Sequence, residues 1–126
     1  MAAQTPSCQT VLLAEDNAGI RSTLAMVLRD AGYRVELAAD GREALDLLRK
    51  ESPPHLILLD LLMPVLDGLY FLQQIKALSH LASVPIIVTT STNLTREWAE
   101  AQGCAGLLHK PIDPEALLQE VQRCVA

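Results

Sequence analysis

Five short apolar runs punctuate the chain, and the stretches between them carry apolar residues three and four positions apart. Short runs bounded by turn formers read as strands, and longer periodic stretches read as amphipathic helices. The first strand covers Thr10–Ala14. A helix follows over 18–31, with Ile20, Leu24, Val27, Leu28 and Ala31 at helical spacing and Gly32 as its C-terminal stop. Residues 33–38 alternate Val35 and Leu37 with Arg34 and Glu36, which suits an edge strand. Asp40-Gly41 leads into a helix over 42–51, with Ala44, Leu45 and Leu48 inward, ended by Pro53-Pro54. Leu56–Asp60 is continuously apolar up to its last residue, as a central parallel strand would be.

The second half repeats the pattern. Asp67-Gly68 precedes a helix over 69–78, with Leu72, Ile75 and either Leu78 or Leu69 on its core face. Residues 85–90 form a fourth strand, and 94–102 a short helix stopped by Gly103. A fifth strand spans 105–109, and Pro111 turns the chain. Asp113 caps a last helix, Pro114–Val125, whose first position holds a proline with no N–H to satisfy. Strict alternation of strand and helix predicts an α/β fold with a parallel sheet and crossover helices.

Charged side chains gather at the ends of these strands. The first strand runs into Glu15-Asp16, the third ends in Asp60, and the fifth is followed by Lys110-Pro111. Open α/β sheets bind ligands outside the carboxyl ends of their strands. Three carboxylates there suit a hard divalent cation such as Mg²⁺, which takes oxygen ligands and shares them with phosphate. Without a cation, clustered carboxylates repel and at least one should titrate high. A carboxylate can also serve as nucleophile in covalent phosphoryl transfer. Lys110 and the hydroxyl of Thr90, at the end of the fourth strand, are placed to contact phosphoryl oxygens. Each piece alone has a plainer reading as a turn, cap or loop residue; four strand ends carrying them together do not.

Composition narrows the partners. The chain has 126 residues, 50% hydrophobic and 20% charged, with a net charge of −5, which fits one globular domain and disfavours direct nucleic-acid binding. Cys8, Cys104 and Cys124 form no C-x-x-C pattern, so reduced thiols of a cytoplasmic protein are expected. The first residues lack the basic-then-apolar order of a signal peptide, and no apolar run approaches the ~20 residues of a membrane span.

The motif residues Glu15-Asp16-Asn17, Asp60 with Met63-Pro64 and Asp67-Gly68, Thr90-Ser91 and Lys110-Pro111 resemble those of the receiver domain of two-component response regulators. The spacings from Asp16 to Asp60 and from Asp60 to Thr90, 44 and 30 residues, are typical of that family. The resemblance covers about 10–125 and assigns 1–9 to an N-terminal tail and 10–126 to the receiver. It implies a flavodoxin-like, doubly wound, five-stranded parallel sheet of order 2-1-3-4-5 with five helices. It further implies a Mg²⁺-dependent phosphoprotein that takes a phosphoryl group on Asp60 from a histidine kinase or histidine phosphotransfer protein. In such receivers Glu15, Asp16, Asp60 and the backbone carbonyl of Leu62 would hold the metal, while Thr90 and Lys110 contact the phosphoryl group. The domain would act as a signalling switch, catalysing only its own phosphoryl transfer and dephosphorylation, and would pass its signal to a protein partner. The alternative is the receiver portion of a longer regulator or hybrid kinase. An aspartyl phosphatase would need a second acid two residues after the nucleophile, where Leu62 stands.

Two departures from the family pattern lie on the face receivers use to signal and to form homodimers, made by the fourth helix, fifth strand and fifth helix. Leu107 occupies a position that is usually aromatic and turns inward behind the switch threonine. The interval from Thr90 to Gly103 is also short. Leu62 and Thr92 flank the path of the hydrolytic water in the family, and an apolar Leu62 predicts a long-lived phosphoryl group. Trp98 is expected to cover the core edge, and one of Tyr70 and Phe71 to pack inward. His55, His80 and His109 are not expected as ligands or phosphodonors; His109 should point away from Lys110. Cys104 is expected to be a small buried residue.

Overall fold

A computed structural model describes residues 9–49, 53–61 and 68–125. The elements run β1 (Thr10–Ala14), α1 (Ala18–Asp30), β2 (Arg34–Ala38), α2 (Gly41–Leu48), β3 (Leu56–Asp60), α3 (Gly68–Lys76), β4 (Ile86–Thr90), α4 (Arg96–Ala101), β5 (Gly106–His109) and α5 (Pro114–Val125). All strand pairs are parallel, and the sheet order is β2-β1-β3-β4-β5, as the sequence reading expected.

The central strands are apolar on both faces because both faces are covered. Leu12, Ala14, Ile57, Leu59, Ile86 and Val88 pack against α2, α3 and α4 through Leu45, Leu48, Phe71, Leu72, Ile75 and Ala99. The alternate residues Val11, Leu13, Leu56, Leu58 and Ile87 pack against α1 and α5 through Leu24, Ala25, Leu28, Leu117 and Val121. The resulting two cores hold the carboxyl ends of β1 and β3 side by side, with Ala14 in register with Leu59.

Local signals set most boundaries. Asn17, Asp40 and Thr95 cap α1, α2 and α4, each accepting the backbone N–H three residues on. Asp113 caps α5 in the same way, through the Ala116 N–H. Helices α1 and α4 end on Gly32 and Gly103 at φ +100° and +84°. In each, the two residues after the cap return N–H bonds to the last turn, a Schellman closure that only glycine adopts without strain.

Several expectations shift. The fourth helix begins at Arg96, capped by Thr95, rather than at Leu94, so α4 has six residues. Ala31, the last residue of the helical spacing, is the exposed cap of α1. Leu37, one of the apolar residues of the alternation, is 39% exposed on the edge strand β2. A 3₁₀ turn at Ser79–Leu81, too short to show periodicity, buries Leu81. Phe71 is buried and Tyr70 exposed, Trp98 lies partly buried against the core, and Cys104 is buried with its thiol pKa pushed up by burial. Among the described residues no helix is long and apolar enough to cross a membrane.

Candidate functional site

The acids are brought together by strand order alone. Adjacent β1 and β3 deliver Glu15, Asp16 and Asp60 to one edge, and one carboxylate oxygen from each lies within 4.8 Å of the others. Glu15 and Asp60 are buried, at 1% and 3% exposure, and Asp16 is exposed. Backbone bonds fix the loops: the Glu15 N–H donates to the Ala38 carbonyl and the Leu61 N–H to that of Thr89. Arg21 on α1, which sequence reasoning missed, donates from Nη1 to the carbonyls of Glu15 (2.9 Å) and Asp16 (3.3 Å) and so braces the acidic turn. Its position, one helical turn beyond Asn17, was the available signal.

Lys110 reaches into the cluster from β5. Its Nζ lies 2.9 Å from Glu15 Oε1 and 3.1 Å from Asp60 Oδ2. The contact with Asp60 is a hydrogen bond. Glu15 Oε1 sits off hydrogen-bond alignment with the ammonium, an ion-pair contact only, and so keeps lone-pair capacity for another ligand. Its second oxygen accepts the Asn17 N–H at 3.1 Å. Burial raises the Glu15 pKa, and the Asp60 charge adds to this; Lys110 and the Asn17 N–H oppose without cancelling. One acid of the cluster therefore titrates high, as expected, although desolvation outweighs repulsion as the reason. Burial alone would lower the Lys110 pKa, but its two carboxylate partners raise it.

Thr90 stands at the end of β4, buried, with its carbonyl accepting the Lys110 N–H at 2.8 Å. Its hydroxyl is engaged by Thr92, through the Thr92 N–H (3.0 Å) and hydroxyl (2.8 Å). Leu62, Met63, Pro64 and Asp67 lie outside the described residues. The three histidines each meet a backbone group: His55 Nδ1 accepts the Thr10 N–H, and Nε2 of His80 and His109 donate to the carbonyls of Leu48 and Leu94. The Lys110-Pro111 peptide is cis.

The donor set fits a hard divalent cation. Three carboxylates converge, two of them buried, and one buried oxygen has no aligned donor. Such a set above the carboxyl ends of a 2-1-3-4-5 sheet places the molecule in the flavodoxin-like class. The chain belongs to the response regulator receiver domain family, whose profile matches residues 11–122. It is 33% identical over 120 residues to the response regulator Rre1 of Synechocystis, covering 93% of this chain and 52% of that one. It is 28% identical to protein PilH of Pseudomonas aeruginosa, covering 92% of this chain and 97% of that one. The structure of the chemotaxis response regulator CheY4 of Vibrio cholerae superposes with a TM-score of 0.85 at 36% identity, covering 94% and 99% of the two chains. The chain thus spans about half the length of Rre1 and of several other curated relatives.

Proposed function

We propose that Asp60 accepts a phosphoryl group from a histidine kinase or histidine phosphotransfer protein, and that the resulting change is read by a protein partner. The observation that carries this is Lys110 Nζ held 2.9 and 3.1 Å from Glu15 and Asp60 at one sheet edge, with a third acid beside them. Glu15, Asp16, Asp60 and the Leu62 carbonyl would hold Mg²⁺, which when bound neutralises charge on the phosphoryl oxygens. An Asp60 carboxylate oxygen attacks phosphorus; its new O–P bond forms as the donor's N–P bond breaks, and the imidazole leaves. Lys110 meets the charge spread over the equatorial oxygens, where positioning and electrostatics do most of the catalysis. Thr90 gives up Thr92 and turns its hydroxyl to a third oxygen. Hydrolysis of the Asp60 phosphoryl group by the same site resets the domain. The setting is cytoplasmic.

Incubation with acetyl phosphate and Mg²⁺ is expected to add one phosphoryl mass to the intact chain, and Asp60→Asn to add none. An adduct that persists in Asp60→Asn would place the acceptor elsewhere. Leu62 offers no polar group to orient a hydrolytic water, so the adduct should decay slowly, and Leu62→Gln should shorten its lifetime about tenfold by positioning that water. Equal decay of the two proteins would remove Leu62 from the explanation.

The relatives of twice this length favour a second reading, in which the domain is the receiver portion of a longer regulator. Phosphoryl chemistry at Asp60 would be the same, and the output would act through an attached domain.

A further inference from the structure

Among the described buried carboxylates, Glu15 and Asp60 belong to the acid cluster, and Glu120 does not. Glu120 lies on α5 at 8% exposure and joins three elements. Its Oε2 accepts the Leu107 N–H of the edge strand β5 at 3.3 Å and lies 3.1 Å from Arg96 Nη1, at the first residue of α4. Its Oε1 accepts Arg123 Nε at 3.0 Å, and Arg123 Nη2 donates to the Ala105 carbonyl at 2.7 Å. The approach depends on Gly106, where a Cβ would overlap Glu120 Oε2.

These bonds are unequal in what they tie. Arg123 is three residues along the same helix, and Leu107 is fixed in the sheet; both stay with Glu120 however α4 moves. Arg96 comes from α4 and is 49% exposed, so it can leave for water without stranding a buried charge. Only five residues, 91–95, separate Thr90 from Arg96. Within them Thr92 is bonded to the Thr90 hydroxyl, and the Leu94 carbonyl accepts from His109 of β5. A Thr90 hydroxyl turned toward a phosphoryl group would give up its Thr92 bonds, which lie in the segment leading to Arg96. Leu107, packed in the core without a polar tip, offers no comparable report.

We propose that Glu120 is a latch for α4. With Asp60 unmodified, it holds Arg96 against α5 and β5. Phosphorylation of Asp60 releases Arg96, while Arg123 and the Leu107 N–H keep the carboxylate paired. The freed start of α4 then presents a changed surface to the partner. The latch rests on the phosphoacceptor role of Asp60 proposed above. Because a contact made only in the resting state biases the equilibrium toward that state, removing it favours the phosphorylation-competent one.

The test pairs NMR of arginine Nε–H groups and the Leu107 amide with the rate of phosphorylation by acetyl phosphate and Mg²⁺. On phosphorylation, the Arg96 Nε–H resonance is expected to move to that of a free arginine, with Arg123 and Leu107 unmoved. Arg96→Ala, which leaves Glu120 paired, should phosphorylate about three- to tenfold faster. A merely structural role would change thermal stability without changing that rate. An Arg96 resonance that stays put, or a wild-type rate in Arg96→Ala, overturns the latch alone. No adduct in either protein overturns the phosphoacceptor role and the latch together.

Discussion

Lys110→Met is expected to slow phosphorylation of Asp60 about 100-fold or more while tightening the binding of a divalent cation. The two effects separate because Lys110 does two things. In the phosphoryl transfer it supplies a fixed positive charge to oxygens that gain charge, and loss of one such preorganised donor costs on the order of 10²–10³ in rate. Before transfer, however, its ammonium already sits on Glu15 and Asp60 at 2.9 and 3.1 Å, where a cation must share or displace it. Methionine keeps an unbranched apolar stem and removes only the competitor. The metal-free variant should also show a steeper loss of stability with pH. Burial holds the Glu15 pKa above its ordinary value, and Lys110 now opposes that rise. A carboxyl whose folded pKa is raised favours folding while protonated, and that contribution is lost as pH rises through the folded value. Thermal melts followed from acid, below the ordinary carboxyl range, to neutral pH, with and without Mg²⁺, should show the cation restoring most of the loss at neutral pH. An unchanged phosphorylation rate in Lys110→Met would remove the lysine from the transfer step.

The fold and the acid cluster were legible for one physical reason. A strand covered on both faces must be apolar throughout, so Leu56–Asp60, buried at every position, announces both its centrality and the oddness of its final aspartate. Proximity of Glu15 and Asp60 then follows from strand order. Contacts that depend on side-chain reach across elements were less visible. Arg21 offered only its position one turn beyond Asn17, and its reach to two backbone carbonyls is set by the folded turn. The resting partner of Thr90 is a local turn bond to Thr92, which sequence offers as one option among many. Glu120 was readable in principle: it lies three residues after Leu117 and one before Val121, on the inner stripe of α5, where an acid needs a buried partner.

Gly106→Ala is expected to lower the melting temperature by roughly 10 °C, about 2–3 kcal/mol. The alanine Cβ would overlap Glu120 Oε2 and lie 3.1 Å from Arg123 Nη2. Backbone at Gly106 is held by β5 pairing with Ile87, so the carboxylate must give way. Moving it strands the Leu107 N–H and separates Glu120 from Arg96 and Arg123. Breaking a buried pair costs about 3–5 kcal/mol, and the half-exposed guanidiniums, screened by water and salt, bring the figure down. The pH dependence carries the opposite sign from Glu15. Burial alone would raise the Glu120 pKa, but Arg123 and Arg96 together hold it below the usual value. Its stabilisation is thus complete above the unfolded pKa and is lost as pH falls through the folded one. The destabilisation by Gly106→Ala should accordingly shrink in acid. Glu120→Ala in the Gly106→Ala background should cost less than Glu120→Ala in the wild type, because the added methyl no longer displaces anything and fills part of the vacated space. Strictly additive losses in that double-mutant cycle would mean that Gly106 is needed for its backbone alone, and that the close approach of Glu120 to β5 contributes nothing to stability.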